Sequence, residues 1–187
     1  MRKYFIPMFT LIILGLFSAC NNSPKSTSSE SGGIDQSKLK GQSGVVDELS
    51  EPNILQVAIN SADHSTLVAG VVAAGLQDVL TNAGPLTVFA PNNDAFDKLP
   101  EGTLDDLLKP ENKEILANII TFHAAPGSYY GDNIKGVMGI GQATGDKVVV
   151  EVKDGVTYVN GAKVLGTVKA SNGYVHVIDQ VLLPPEN

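Results

Sequence analysis

The chain has 187 residues, 43% of them apolar, with no Trp and one Cys, which is enough for one domain with a real core. A single Cys excludes an internal disulfide and a metal site built from protein thiolates alone. A net charge of −7 excludes the basic surface with which proteins displace counterions from nucleic acid.

The first segment reads as a targeting signal. Arg2 and Lys3 precede an apolar stretch, Ile6 to Phe17, that is short for a bilayer span. Ser18 and Ala19 then lead into Cys20. Small residues before the one Cys resemble a bacterial lipoprotein signal, with cleavage before Cys20 and lipid on its sulfur; the other reading is an ordinary secretory signal with an incidental Cys. The expected organisation is a signal peptide over 1–19, a Ser/Gly/Asn-rich tether over 20–44, and one folded domain over 45–187. A polar tether of about 24 residues has a mean span on the order of 25–30 Å.

In the domain, Asp47 to Ser61 is predicted as helix. Ile54 and Ala58, then Leu55 and Ile59, share faces at four-residue spacing. Asp63 or Ser65 caps a second helical stretch carrying Leu67, Val68, Val71, Val72, Leu76, Val79 and Leu80, which Gly75 splits. Gly84-Pro85 turns into a strand, Leu86 to Ala90. Pro91 ends it, and Asn92 or Asn93 caps a short helix with Ala95, Phe96 and Leu99 on one face. Thr103 and Asp106 fit a capping box for a helix from Leu104 to Leu108. Pro110 opens another, with Leu116, Ile119, Ile120 and His123 on one face. The last third is β. Asp154-Gly155, Asn160-Gly161 and Asn172-Gly173 are hairpin signals separating Lys147–Lys153, Val156–Val159, the Lys163–Ala170 region and Tyr174–Ile178. Helices first and antiparallel strands after predict an α+β fold.

These residues carry a resemblance. Thr87-Val-Phe-Ala-Pro-Asn-Asn-Asp-Ala-Phe96 is similar to the first signature box of the fasciclin (FAS1) domain, and Asn172-Gly-Tyr-Val-His-Val-Ile-Asp-Gln-Val-Leu-Leu-Pro184 to the second. Phe122-His123-Ala-Ala-Pro-Gly127 resembles the family's Tyr-His box between them. The resemblance implies an antiparallel β-wedge with several helices packed along it. In animal members the Tyr-His box is implicated in integrin adhesion. Here Phe122 stands where Tyr is commoner, and Ala124 and Ala125 replace bulkier aliphatics. Asn112-Lys-Glu-Ile-Leu116 and Glu51-Pro-Asn-Ile-Leu55 look like integrin-binding pentapeptides of animal members. Both fall on predicted helices that need their Ile and Leu for the core.

The residues offer no catalytic constellation. His64, His123 and His176 have no metal-ligand spacing, there is no G-x-S-x-G elbow, and the Gly-rich run at 136–141 precedes a strand rather than a helix. His64 is expected in an exposed cap or loop; His123 and His176 are expected in or beside the core. The sequence therefore points to a non-enzymatic, lipid-anchored module of the bacterial cell envelope, without cofactor or metal. It would mediate adhesion to an extracellular protein or polysaccharide, and touch the membrane only through lipid on Cys20. The candidate contact patch is Phe122, His123, Tyr129 and Tyr130, because exposed aromatics are favoured at binding sites. The alternative is a small-ligand sensor with a pocket between helices and sheet.

Overall fold

The computed structural model describes residues 51–185. The expected leader and tether, Cys20, and the expected start of the domain at 45 lie outside the described residues.

Helix α1 (Ile54–Ile59) starts at Asn53, whose side chain and that of Gln56 cap each other's backbone N–H at 2.9 Å. Helix α2 (Ser65–Ala74) ends where Gly75 adopts φ +75, a left-handed conformation that suits glycine, and α3 (Gln77–Thr81) follows. Neither Asp63 nor Ser65 caps α2. Asn93 does so from elsewhere in the fold, its Oδ1 accepting the Thr66 N–H at 3.1 Å. Strand β1 (Leu86–Pro91) runs into α4 (Asn93–Asp97), capped by Asn92 through the Ala95 N–H at 2.9 Å. Helix α5 (Thr103–Leu107) forms without the expected capping box: its N-cap is Gly102 at φ +82, and no side chain closes the first turn. Helix α6 (Lys113–Phe122) follows a 3₁₀ turn opened by Pro110. No helix of the described residues is long and apolar enough to cross a membrane.

Two strands had no clear sequence signal, β2 (Ala124–Pro126) and β3 (Val137–Gly141). Ala-Ala-Pro has no β-branched or aromatic residue, and Gly139 and Gly141 interrupt the apolar pattern of Val137, Met138 and Ile140. Strands β4 (Lys147–Lys153), β5 (Val156–Val159), β6 (Ala162–Ala170) and β7 (Gly173–Ile178) complete the meander. Positive φ at Asp154-Gly155 and Asn160-Gly161 makes two of the predicted turns. At the third the turn shifts by one residue. Ala170 pairs with Gly173, so Ser171-Asn172 connects the strands and Gly173 already belongs to β7.

The α+β wedge is present as one seven-stranded sheet in the order β2-β1-β7-β6-β5-β4-β3. Its pairs are antiparallel except β1 with β7, which run parallel from Leu86↔Gly173 to Pro91↔Ile178. The two ends of the sheet approach each other, and Ala143 N–H donates to the Ala124 carbonyl at 2.7 Å. Two cores result. Val88, Ala90 and Val175 face helices α1, α2 and α6, whereas Phe89 and Ile178 point into the wedge with Phe122, Ile140, Val148 and Val150. Strand β1 is thus buried on both faces, as its near-continuous apolar run requires.

Candidate functional site

The structure separates the four sequence candidates. Phe122 is 1% exposed and His123 3% exposed, so neither offers a surface for a partner. Phe122 fills the wedge core in the position where a phenol would need a hydrogen-bond partner. His123 is held at both ring nitrogens. Nδ1 lies 2.8 Å from the Ile119 carbonyl, which can only accept, so Nδ1 carries the proton. Nε2 then accepts the Leu182 N–H at 2.9 Å. The ring ties the end of α6 to the segment after β7. Burial pushes its pKa down to about 4, only partly offset by the Ile119 carbonyl. A neutral ring in this place is a structural clamp.

Tyr129 and Tyr130 belong to a loop that buried groups hold from below. Thr87, fully buried on β1, donates its hydroxyl to the Gly127 carbonyl at 2.7 Å and accepts the Tyr129 N–H at 3.0 Å. His176, on β7, donates Nε2–H to the Tyr129 carbonyl at 2.6 Å, while its Nδ1 accepts the Thr167 hydroxyl at 2.8 Å. Burial lowers the His176 pKa. The ring also stacks on Phe89, with centroids 5.6 Å apart. Tyr129 packs against the wedge core. Tyr130 stands 42% exposed and lies flat on Tyr174, with centroids 4.0 Å apart and planes 16° apart. Hydrogen bonding with the Tyr130 hydroxyl raises the Tyr174 pKa. Tyr174 was not among the sequence candidates. Strand alternation puts it on the same face as His176 and Ile178, but nothing local to either tyrosine says that the two rings meet.

Beside this pair runs an open groove of about 440 Å³, walled by Pro85, Ser128, Lys169, Ser171 and Tyr174 among others. It has Lys169 and no carboxylate in its lining; Glu51 reaches the ammonium at 3.4 Å from outside. By contrast, the apolar crevice between α2, α5 and α6 holds only about 20 Å³, roughly room for one water. Among the described residues, no group of three His, Cys, Asp or Glu side chains could hold a metal ion.

The signature boxes themselves are occupied with holding the fold. Asn172 Oδ1 accepts the Ile54 N–H at 3.0 Å, and its Nδ2 donates to the carbonyls of Leu80 and Asn82 at 2.8 and 2.9 Å. One side chain thereby fixes the start of α1 and the end of α3 to the β6–β7 turn. Asn93 does the same for α2. His64 is 6% exposed rather than a surface cap, with Nδ1 2.8 Å from the Ser61 hydroxyl. Of the two integrin-like pentapeptides, the first buries Leu116 but leaves Ile115 54% exposed, against the expectation that both serve the core; the second buries Ile54 and Leu55.

A profile of the Fasciclin domain matches residues 62–184. "Protein sll1483" of Synechocystis sp. is 47% identical over 137 residues, covering 73% of this chain and 76% of that protein. The "Cell surface glycolipoprotein MPT83" of Mycobacterium tuberculosis is 34% identical over 147 residues, 76% of this chain and 65% of that one. The "Transforming growth factor-beta-induced protein ig-h3" of Sus scrofa is 39% identical over 135 residues, 72% of this chain but 20% of that protein. Among solved structures, a FAS1 domain pair from the insect cell adhesion molecule Fasciclin I superposes with a TM-score of 0.63 at 20% identity, over 71% of this chain and 51% of that one. The chain belongs to the fasciclin family.

Proposed function

We propose that this protein is a non-catalytic adhesion module of the bacterial cell envelope, which binds an extracellular protein or polysaccharide through Tyr130, Tyr174 and the adjoining groove. The observation that carries this reading is the stacked tyrosine pair, held from beneath by Thr87 and His176. A ring fixed before binding loses little conformational entropy on contact, which is why rigid aromatics serve as anchors. Lys169 at the groove edge favours a partner that brings carboxylates. The name of the mycobacterial relative, a cell-surface glycolipoprotein, supports an extracytoplasmic setting. A lipid on Cys20 would supply the anchor. The small-ligand alternative would use a pocket between helices and sheet; the crevice among α2, α5 and α6, with about 20 Å³, supports it less than the open groove supports a macromolecular partner.

The test compares cells displaying the native chain with cells displaying Tyr130→Ala/Tyr174→Ala at equal surface levels. Adhesion to matrix-coated and polysaccharide-coated surfaces should fall at least tenfold in the variant. Unchanged adhesion would remove the pair from the mechanism. Release of Cys20→Ala protein into the medium checks the anchor separately.

A further inference from the structure

The tyrosine pair has a second chemical capability, which does not depend on the adhesion reading. Tyr130 and Tyr174 come from distant parts of the chain, yet their rings lie 4.0 Å apart and 16° from parallel. The rings are stacked face on face, one from the loop after β2 and the other from β7. At that separation and tilt, ring carbons of one tyrosine lie about a van der Waals contact from ring carbons of the other. Tyr130 is 42% exposed, so an oxidant can reach the pair from solvent.

We infer that Tyr130 and Tyr174 form a site of oxidative cross-linking, at which a one-electron oxidant of the haem-peroxidase and hydrogen-peroxide class joins them as dityrosine. Each phenol gives up one electron and its phenolic proton. The two phenoxyl radicals couple through their ortho carbons, forming one carbon–carbon bond. The hydrogens on those carbons then shift to the oxygens and restore two phenols. The two electrons and two protons released convert one hydrogen peroxide to two waters, so the step balances. Coupling of free phenoxyl radicals requires an encounter, whereas here the partners are already in place, and proximity of this kind raises the effective concentration greatly. The other described tyrosines lack this arrangement: Tyr129 packs into the wedge core, and Tyr158 has no stacked ring partner. The product would staple the loop after β2 to β7 and lock one wall of the groove.

The experiment treats the purified protein with a haem peroxidase and hydrogen peroxide, with free tyrosine in a parallel tube as the control for coupling. The expected result is a monomeric product lighter by two hydrogens, with dityrosine fluorescence and a proteolytic fragment joining the peptides of Tyr130 and Tyr174. Tyr130→Phe and Tyr174→Phe each abolish it, and Tyr158→Phe retains it. The Phe variants keep the stacked rings, and their melting curves verify that they are folded. The inference is overturned by a cross-link through Tyr129 or Tyr158, by covalent dimers as the sole product, or by no dityrosine in protein while free tyrosine couples.

Discussion

His123 and His176 invite comparison. Each is buried and has both ring nitrogens engaged, but the tautomers are opposite. His123 donates through Nδ1 and pins helix to chain end, entirely inside the molecule. His176 donates through Nε2 and pins a surface loop, so its effect is felt at Tyr130. Two histidines of similar burial thus serve different regions, one the core and the other a surface. The lesson is that a candidate contact position here is found by following what a buried group holds in place, not by collecting neighbours in sequence.

Breaking the interior side of this comparison should cost the most. A Cβ at Gly173 would sit 1.7 Å from the Leu86 carbonyl oxygen, so Gly173→Ala forces β1 and β7 apart. We expect a loss above about 4 kcal/mol, read as a failure to give a cooperative melt; Gly141→Ala, where the same atom meets nothing within 4 Å, is the control. Next comes His123→Ala. It leaves the Leu182 N–H and the Ile119 carbonyl unpaired and opens a void, so urea unfolding should show a loss of about 3–5 kcal/mol.

A smaller, graded effect comes from acid. The folded pKa of His123, about 4, lies below its ordinary value of 6.5, so the unfolded chain takes up the proton first. Its contribution is complete above pH 6.5, is lost as pH falls towards 4, and changes no further below that. It amounts to roughly 3 kcal/mol. Burial shifts His176 and His64 in the same direction. Melting temperature should therefore drop between pH 6.5 and 4, and His123→Gln should show a shallower slope. An equal slope in the variant would assign the acid sensitivity to other groups.

The smallest effect on stability belongs to the exposed side of the comparison. Tyr130→Ala removes a surface ring and should cost about 1 kcal/mol or less in a thermal melt. The same substitution should nonetheless reduce adhesion strongly. A large stability loss with unchanged adhesion would reverse the division between clamp and surface.

What the sequence determined by itself is local. The split of α2 from α3 at Gly75, the Asn92 cap of α4, the Asp154-Gly155 and Asn160-Gly161 turns, and the apolar run of β1 all follow from contacts within a few residues. The two boxes were legible as well, and with them the family. Tertiary structure decided the rest, because it depends on groups far apart in the chain. Asn93 and Asn172 cap helices that they do not belong to, β1 pairs in parallel with β7, and β2 is a strand because β1 lies beside it rather than through its own Ala-Ala-Pro propensity. The same holds for the candidate site. Sequence neighbours suggested Phe122 and His123, which burial removes. The fold supplied Tyr174 instead, since strand alternation sets its ring on the wedge face and the Thr87 and His176 clamps hold the loop that carries Tyr130 against it.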